Sequence, residues 1–165
     1  MQIDMSKPAD VEMHLWDCIE AHKVGMLSLG GAVLPHAQPM TAFPERARRQ
    51  LWFFSRSDTD LARHVQGGRP ALFSFQHKDL HASLSGELQV QHDPIRIERY
   101  WNAIVSAWYP GGRSDPALTL LCFDCEDAQV WLSEARPVRF AWEIAKANAM
   151  RQQPDVGGRV HLDFH

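Results

Sequence analysis

Apolar and polar positions divide the chain into helical and extended segments. Between Val11 and His22, residues Val11, Leu15, Cys18, Ile19 and His22 share one face at ~100° per residue, and Asp17 and Glu20 lie away from it. This predicts a helix capped by Asp10. Val24–Leu29 is a short apolar run that reads as a strand, and Gly30–Gly31 reads as a hairpin turn. Ala32–Thr41 would be the returning strand, with Pro35 and Pro39 pointing to an edge or a bulge. A charged loop at 44–49 leads to Leu51-Trp-Phe-Phe-Ser55, a buried strand. Asp58 is the expected cap of a short helix to about Val65, stopped by Gly67–Gly68.

Pro70–Gln76 and Leu80–Gln91 read as strands around a His77-Lys78-Asp79 turn. Asp93–Pro94 joins a good cap to the residue favoured at the first helical position. The stripe Ile97, Tyr100, Trp101, Ile104, Val105 and Trp108 then predicts one long helix, ended by Tyr109-Pro-Gly-Gly112. Leu118–Asp124 and Ala128–Ser133 read as a final hairpin around Cys125–Asp127. Ala141–Gln152 reads as a last helix. Residues 1–9 are expected to be a leader and the C-terminal residues a tail, around a core at about 12–148. Strands joined by such short turns cannot build a parallel, doubly wound sheet. They suit an antiparallel barrel or sandwich with helices outside it, mainly β, in one domain of 165 residues.

Composition narrows the classes. Hydrophobic residues are 45% and charged residues 22%, which excludes a wholly disordered chain. No run approaches ~18 uncharged apolar residues, so no membrane helix is expected. A net charge of -3 offers no general attraction to nucleic acid. Three cysteines cannot all pair, and the start of the chain lacks a signal-peptide pattern, so the expected location is cytoplasmic.

No spacing defines a catalytic site. His14, Cys18 and His22 could line one helix edge, but zinc wants a closing ligand and none is indicated, so no metal is expected. Cys122-x-x-Cys125 is solitary and sits at a predicted strand end, where a redox motif would open a helix. His77-x-x-x-His81 flanks a turn, and His161-x-x-x-His165 falls in the expected unordered tail. Phosphate-loop, nucleophile-elbow and zincin motifs do not occur.

The run Trp108-Tyr-Pro-Gly-Gly-Arg-Ser-Asp115-Pro116 resembles the Trp-Phe-Pro-x-Gly-x-x-Asp-Pro segment of the pyridoxamine 5′-phosphate oxidase-like flavoproteins, in the general stress protein branch. Other pieces follow in the same order. They are Gln38-Pro39-Met40 with Phe43, Leu51 to Ser55, Ala82-Ser-Leu-Ser-Gly86-Glu, Asp93 with the Trp101 helix, and Ala128-Gln-Val-Trp131. The resemblance implies a six-stranded antiparallel split β-barrel with flanking helices. It also implies a homodimer holding FMN in clefts between subunits. Carried over to this chain, the FMN-binding positions are Gln38, Pro39 and Met40 on the second strand, Phe54, Ser55, Arg56, Thr59 and Leu61 on the third strand and its turn, and Trp108. Two positions depart from the family pattern: Gln38 stands at an Arg position and Leu61 at a Lys position. Arg56 or Arg63 lies near enough to substitute. The resemblance implies a flavin-dependent oxidoreductase of unknown substrate, with no acid or base residue assigned. The alternatives are a non-catalytic dimeric binding or stress protein with weakened FMN binding, and a haem-binding split barrel using one of the nine histidines.

Overall fold

The computed structural model describes residues 3–133 and 137–165; Met1 and Gln2 of the expected leader lie outside them. Helix α1 spans Pro8–His22, starting before the expected cap because Pro8 is pre-set for the first helical turn. Asp10 lies inside that turn, and Lys7 is the cap residue. Val11, Leu15, Trp16 and Ile19 are buried, while Cys18 is half-buried and His22 is exposed.

The strands are β1 (Val24–Leu29), β2 (Gln38–Thr41), β3 (Phe43–Glu45), β4 (Gln50–Arg56), β5 (Arg69–His77), β6 (Leu80–Gln91), β7 (Leu118–Ser133) and β8 (Gly157–Asp163). Helix α2 (Asp60–His64) follows β4, α3 (Pro94–Tyr100) and α4 (Ala103–Ala107) follow β6, and α5 (Pro137–Met150) follows β7. All neighbouring strands are antiparallel, in the order β2-β1-β5-β6-β7-β4-β3. The two ends of that path are separated in the chain by Ala42 alone. The sheet therefore curls until its edges meet in one strand bent at Ala42, whose N–H donates to Lys23 O at 2.8 Å. Counting β2–β3 as one strand gives a six-stranded barrel, with β8 added along the C-terminal half of β7.

Several local expectations change. Part of the charged loop at 44–49 is β3, because Glu45 pairs with Gln50 across a tight turn. The return after Gly30–Gly31 stays irregular until Gln38, so β2 is shorter than expected. The expected last hairpin is the single 16-residue strand β7, continuous through Cys125–Asp127. A bulge takes up the extra residue, with Gly86 opposite Cys125 and Ser85 opposite Asp127. Gly86 permits this approach: a Cβ there would lie 1.9 Å from Asp124 O. The C-terminal tail is ordered as β8, and it carries His161 and buries Leu162. Phe164 packs beside Trp16 of α1 with ring centroids 6.1 Å apart.

The expected long helix breaks at Trp101, which takes an extended conformation. Asn102 Oδ1 then accepts from Val105 N at 2.8 Å and caps α4. The break re-aims the second half of the stripe, leaving Ile104 and Trp108 exposed.

Strand β4 is apolar without alternation because both its faces are covered. Leu51 and Phe53 point into the barrel with Phe73, Leu84 and Phe123. Trp52 and Phe54 point outward into a second cluster with Phe43, Val105, Tyr109 and Leu120, roofed by α3 and α4. Glu45 anchors that roof: Arg96 Nε donates to it at 2.8 Å and Arg99 Nη1 at 2.9 Å. The Arg96 guanidinium also lies 4.3 Å from the Trp52 ring. Among the described residues no helix is long and apolar enough to cross a membrane.

Candidate functional site

Two segments meet near one end of the barrel: the end of β4 with the start of α2, and the turn from α4 into β7. The last is built by the Trp-Tyr-Pro-Gly-Gly-x-x-Asp-Pro run. Asp115 Oδ2 accepts from Gly111 N and Oδ1 from Ala117 N, both at 2.9 Å, and these bonds lower the Asp115 carboxyl pKa. A side chain at Gly111 would press on Asp115, which explains the small residue. The turn holds Tyr109 so that its buried hydroxyl donates to Ser55 O at 2.8 Å. Burial pushes this phenol up to about 12. Trp108, one residue earlier, projects outward with 67% of its surface exposed.

At the end of β4, Ser55 is buried and its hydroxyl lies 3.4 Å from that of Thr59. Thr59, not Asp58, caps α2: its hydroxyl accepts from Ala62 N at 3.2 Å and donates to Arg56 O at 2.8 Å. With the Thr59 proton committed to Arg56 O, Ser55 is the donor between the two hydroxyls. Asp58 turns back to Arg56 and receives Nε at 3.1 Å and Nη2 at 3.0 Å. That bond lowers the Asp58 carboxyl pKa and raises that of the guanidinium. Arg56 Nη1 also reaches Trp108 O at 3.5 Å, joining the two segments. Asp60 Oδ1 accepts from Arg63 Nη2 at 2.6 Å.

Of the positions implied by the resemblance, Ser55, Arg56, Thr59 and Trp108 form one neighbourhood. Gln38, Pro39 and Met40 lie on β2, where Pro39 is exposed and Gln38 Nε2 approaches Met40 Sδ at 3.7 Å. Phe54 is occupied elsewhere, edge-on to Phe43 and Trp101 in the outer cluster. Leu61 is 2% exposed and packs with Val65 in the barrel core, so it offers no surface to a ligand. Sequence reasoning missed Tyr109 and the pairing role of Asp58. The charge opposition two residues from Arg56 was the available signal for the second.

Other candidate groups are dispersed. Cys122 and Cys125 are buried on β7, in the outer and inner clusters respectively. Desolvation pushes Cys122 up to about 12 and raises Cys125 as well, the reverse of an activated thiol. His14 contacts Cys18 at 3.8 Å, whereas His22 stacks on His77 with centroids 3.4 Å apart. Among the described residues no group of three or more His, Cys, Asp or Glu is placed to hold a metal ion.

The fold and this turn define an antiparallel split barrel with flanking helices. Residues 10–155 match the family model described as pyridoxamine 5′-phosphate oxidase like, and the chain belongs to that family. Solved relatives agree. A protein from Jannaschia sp. CCS1, assigned as general stress protein 26, is 31% identical over 96% of this chain and all of its own, with a TM-score of 0.77. The general stress FMN/FAD binding protein of Xanthomonas citri is 37% identical over 78% of this chain and 92% of its own, with a TM-score of 0.72. A protein of Xanthomonas campestris pv. campestris, assigned to the general stress family, is also 37% identical, over 80% of this chain and 93% of its own, with a TM-score of 0.73. No curated protein matches the sequence.

A flavin mononucleotide asks for an apolar wall along its ring and cationic or hydroxyl donors at its phosphate. The exposed Trp108 indole offers a surface of the first kind. The second is met only in part, because Thr59 donates to Arg56 O and Asp58 holds the Nε–Nη2 edge of Arg56.

Proposed function

We propose that this chain is a flavin-binding homodimer of the general stress type and serves as a flavin-dependent oxidoreductase in the cytoplasm. FMN is the flavin that the family suggests. The observation carrying the proposal is Trp108, held exposed beside the end of β4 by the Tyr109–Ser55 bond. An exposed indole at this turn offers an apolar face to a flat ring. A bound flavin supplies hydride or electron transfer. The chain's own residues position it: the turn at 108–116 presents the indole, Arg56 ties that turn to β4, and Thr59 closes the start of α2.

A second copy suits the outer face of β1 and β5. There Val24, Met26 and Leu72 are exposed on neighbouring strands. Exposed apolar side chains grouped on one sheet face are a feature of association sites. The three free thiols suit a reducing compartment.

The test joins light scattering with the visible spectrum of the purified protein and identification of any released chromophore. The expected result is a dimer with the two visible bands of an oxidised flavin, either as isolated or after adding flavin. A monomer, or a colourless dimer that takes up no flavin, overturns the proposal. A haem spectrum replaces it.

A further inference from the structure

We infer that Asp58 makes this site indifferent to the flavin's 5′-phosphate, so that it takes flavins by the ring and binds riboflavin about as well as FMN. The inference rests on the flavin reading above and deepens it.

A phosphate monoester carries nearly two negative charges at neutral pH, so a site that uses it must offer free charge-assisted donors. The segment from Ser55 to Arg63 has its side-chain donors engaged within the chain. Ser55 donates to Thr59, and Thr59 donates to Arg56 O. Asp58 occupies Nε and Nη2 of Arg56 together, the edge that would grip a phosphate, and Trp108 O takes Nη1. Arg63 is held by Asp60. Leu61, which the resemblance puts at a lysine position, faces the core. The carboxylates themselves remain open to solvent, with side-chain exposures of 62% for Asp58 and 70% for Asp60. An approaching dianion therefore meets the two acidic side chains first, and it must displace Asp58 to take the Nε–Nη2 edge of Arg56. The Arg56–Asp58 pair spans only two residues, so holding it requires no long-range loop arrangement. The uncharged ring meets no such repulsion from Asp58 and Asp60.

The experiment titrates the full-length dimer, freed of any co-purified flavin, with FMN and riboflavin by calorimetry and by flavin fluorescence. In the natural sequence the two affinities are expected to agree within about fivefold, less than the tenfold that ~1.4 kcal/mol would give. Asp58→Asn keeps the side chain's size on an exposed site and frees the Arg56 fork. It should tighten FMN about tenfold at low salt and leave riboflavin within about twofold, with the FMN gain shrinking as salt rises. Arg56→Gln added to Asp58→Asn should remove the gain. FMN binding about a hundredfold tighter than riboflavin in the natural sequence would overturn the inference, as would an unchanged ratio in Asp58→Asn. Failure of both flavins to bind a folded dimer would overturn the flavin reading itself, and the inference with it.

Discussion

Arg96 ties α3 to β3, and its removal tests whether that tie sets the stability of the outer cluster. Its guanidinium donates Nε to Glu45 at 2.8 Å, with Nη2 at 3.4 Å from the other oxygen, and it also contacts Asp93 and the face of Trp52. The Arg96 and Glu45 side chains are only 17% and 16% exposed, between the surface and the buried extremes. Exposed pairs contribute about 0.2–1 kcal/mol, and breaking a buried one costs about 3–5. Arg99 stays on Glu45 after Arg96→Met, so that carboxylate keeps one partner. Loss of the pair and of the cation–ring contact, with the aliphatic stem replaced, should therefore cost about 2 kcal/mol. With a urea slope near 2 kcal/mol per molar, the unfolding midpoint should fall by about 1 M.

The pH dependence separates charge from packing. Burial raises the Glu45 carboxyl, but the Arg96 hydrogen bond and the charges of Arg96 and Arg99 outweigh it, so its pKa lies below the ordinary value. Backbone and side-chain bonds from Arg96 lower Asp93 as well. A depressed carboxyl contributes stability that is fully present above its unfolded pKa and is lost as pH falls through the folded value. The difference between wild type and Arg96→Met should therefore be full at pH 7 and shrink below about pH 4. A midpoint change under about 0.2 M, or a difference that persists undiminished into acid, would refute the electrostatic account.

Tyr109→Phe should cost about 1 kcal/mol by removing the hydroxyl's bond to Ser55 O, and should shift the fluorescence of Trp108 next to it. Because burial raises this phenol to about 12, its contribution is full below an unfolded pKa near 10 and is lost as pH rises toward 12. Wild type should lose stability over that alkaline interval more steeply than Tyr109→Phe, and parallel urea midpoints would count against the buried bond. In a thiol-reagent assay at mild alkaline pH, half-buried Cys18 should react in the folded protein, and Cys122 and Cys125 only on unfolding. Rapid reaction of all three without denaturant would contradict the burial of β7.

Features set by near neighbours were legible in the sequence. The apolar run of β1 and the alternation of β6 set bounds that agree with the structure, and Asp93–Pro94 starts α3 through its own side-chain bond to Arg96 N. The Trp108–Pro116 run carried the family resemblance. What pairs across the sheet was not legible. Cys125-Glu-Asp127 reads locally as a turn, yet β6 on one side and β8 on the other hold Asp127 in a strand. The tail became β8 for the same reason: strand pairing takes its hydrogen bonds from residues distant in sequence. The bend at Ala42 that closes the barrel, the inward aim of Leu61 and the capture of Arg56 by Asp58 belong to the same class. A sequence motif tells only which residue stands at a position. Whether its side chain meets solvent or core is decided by the packing of α2 on the barrel, through contacts that only the folded chain makes.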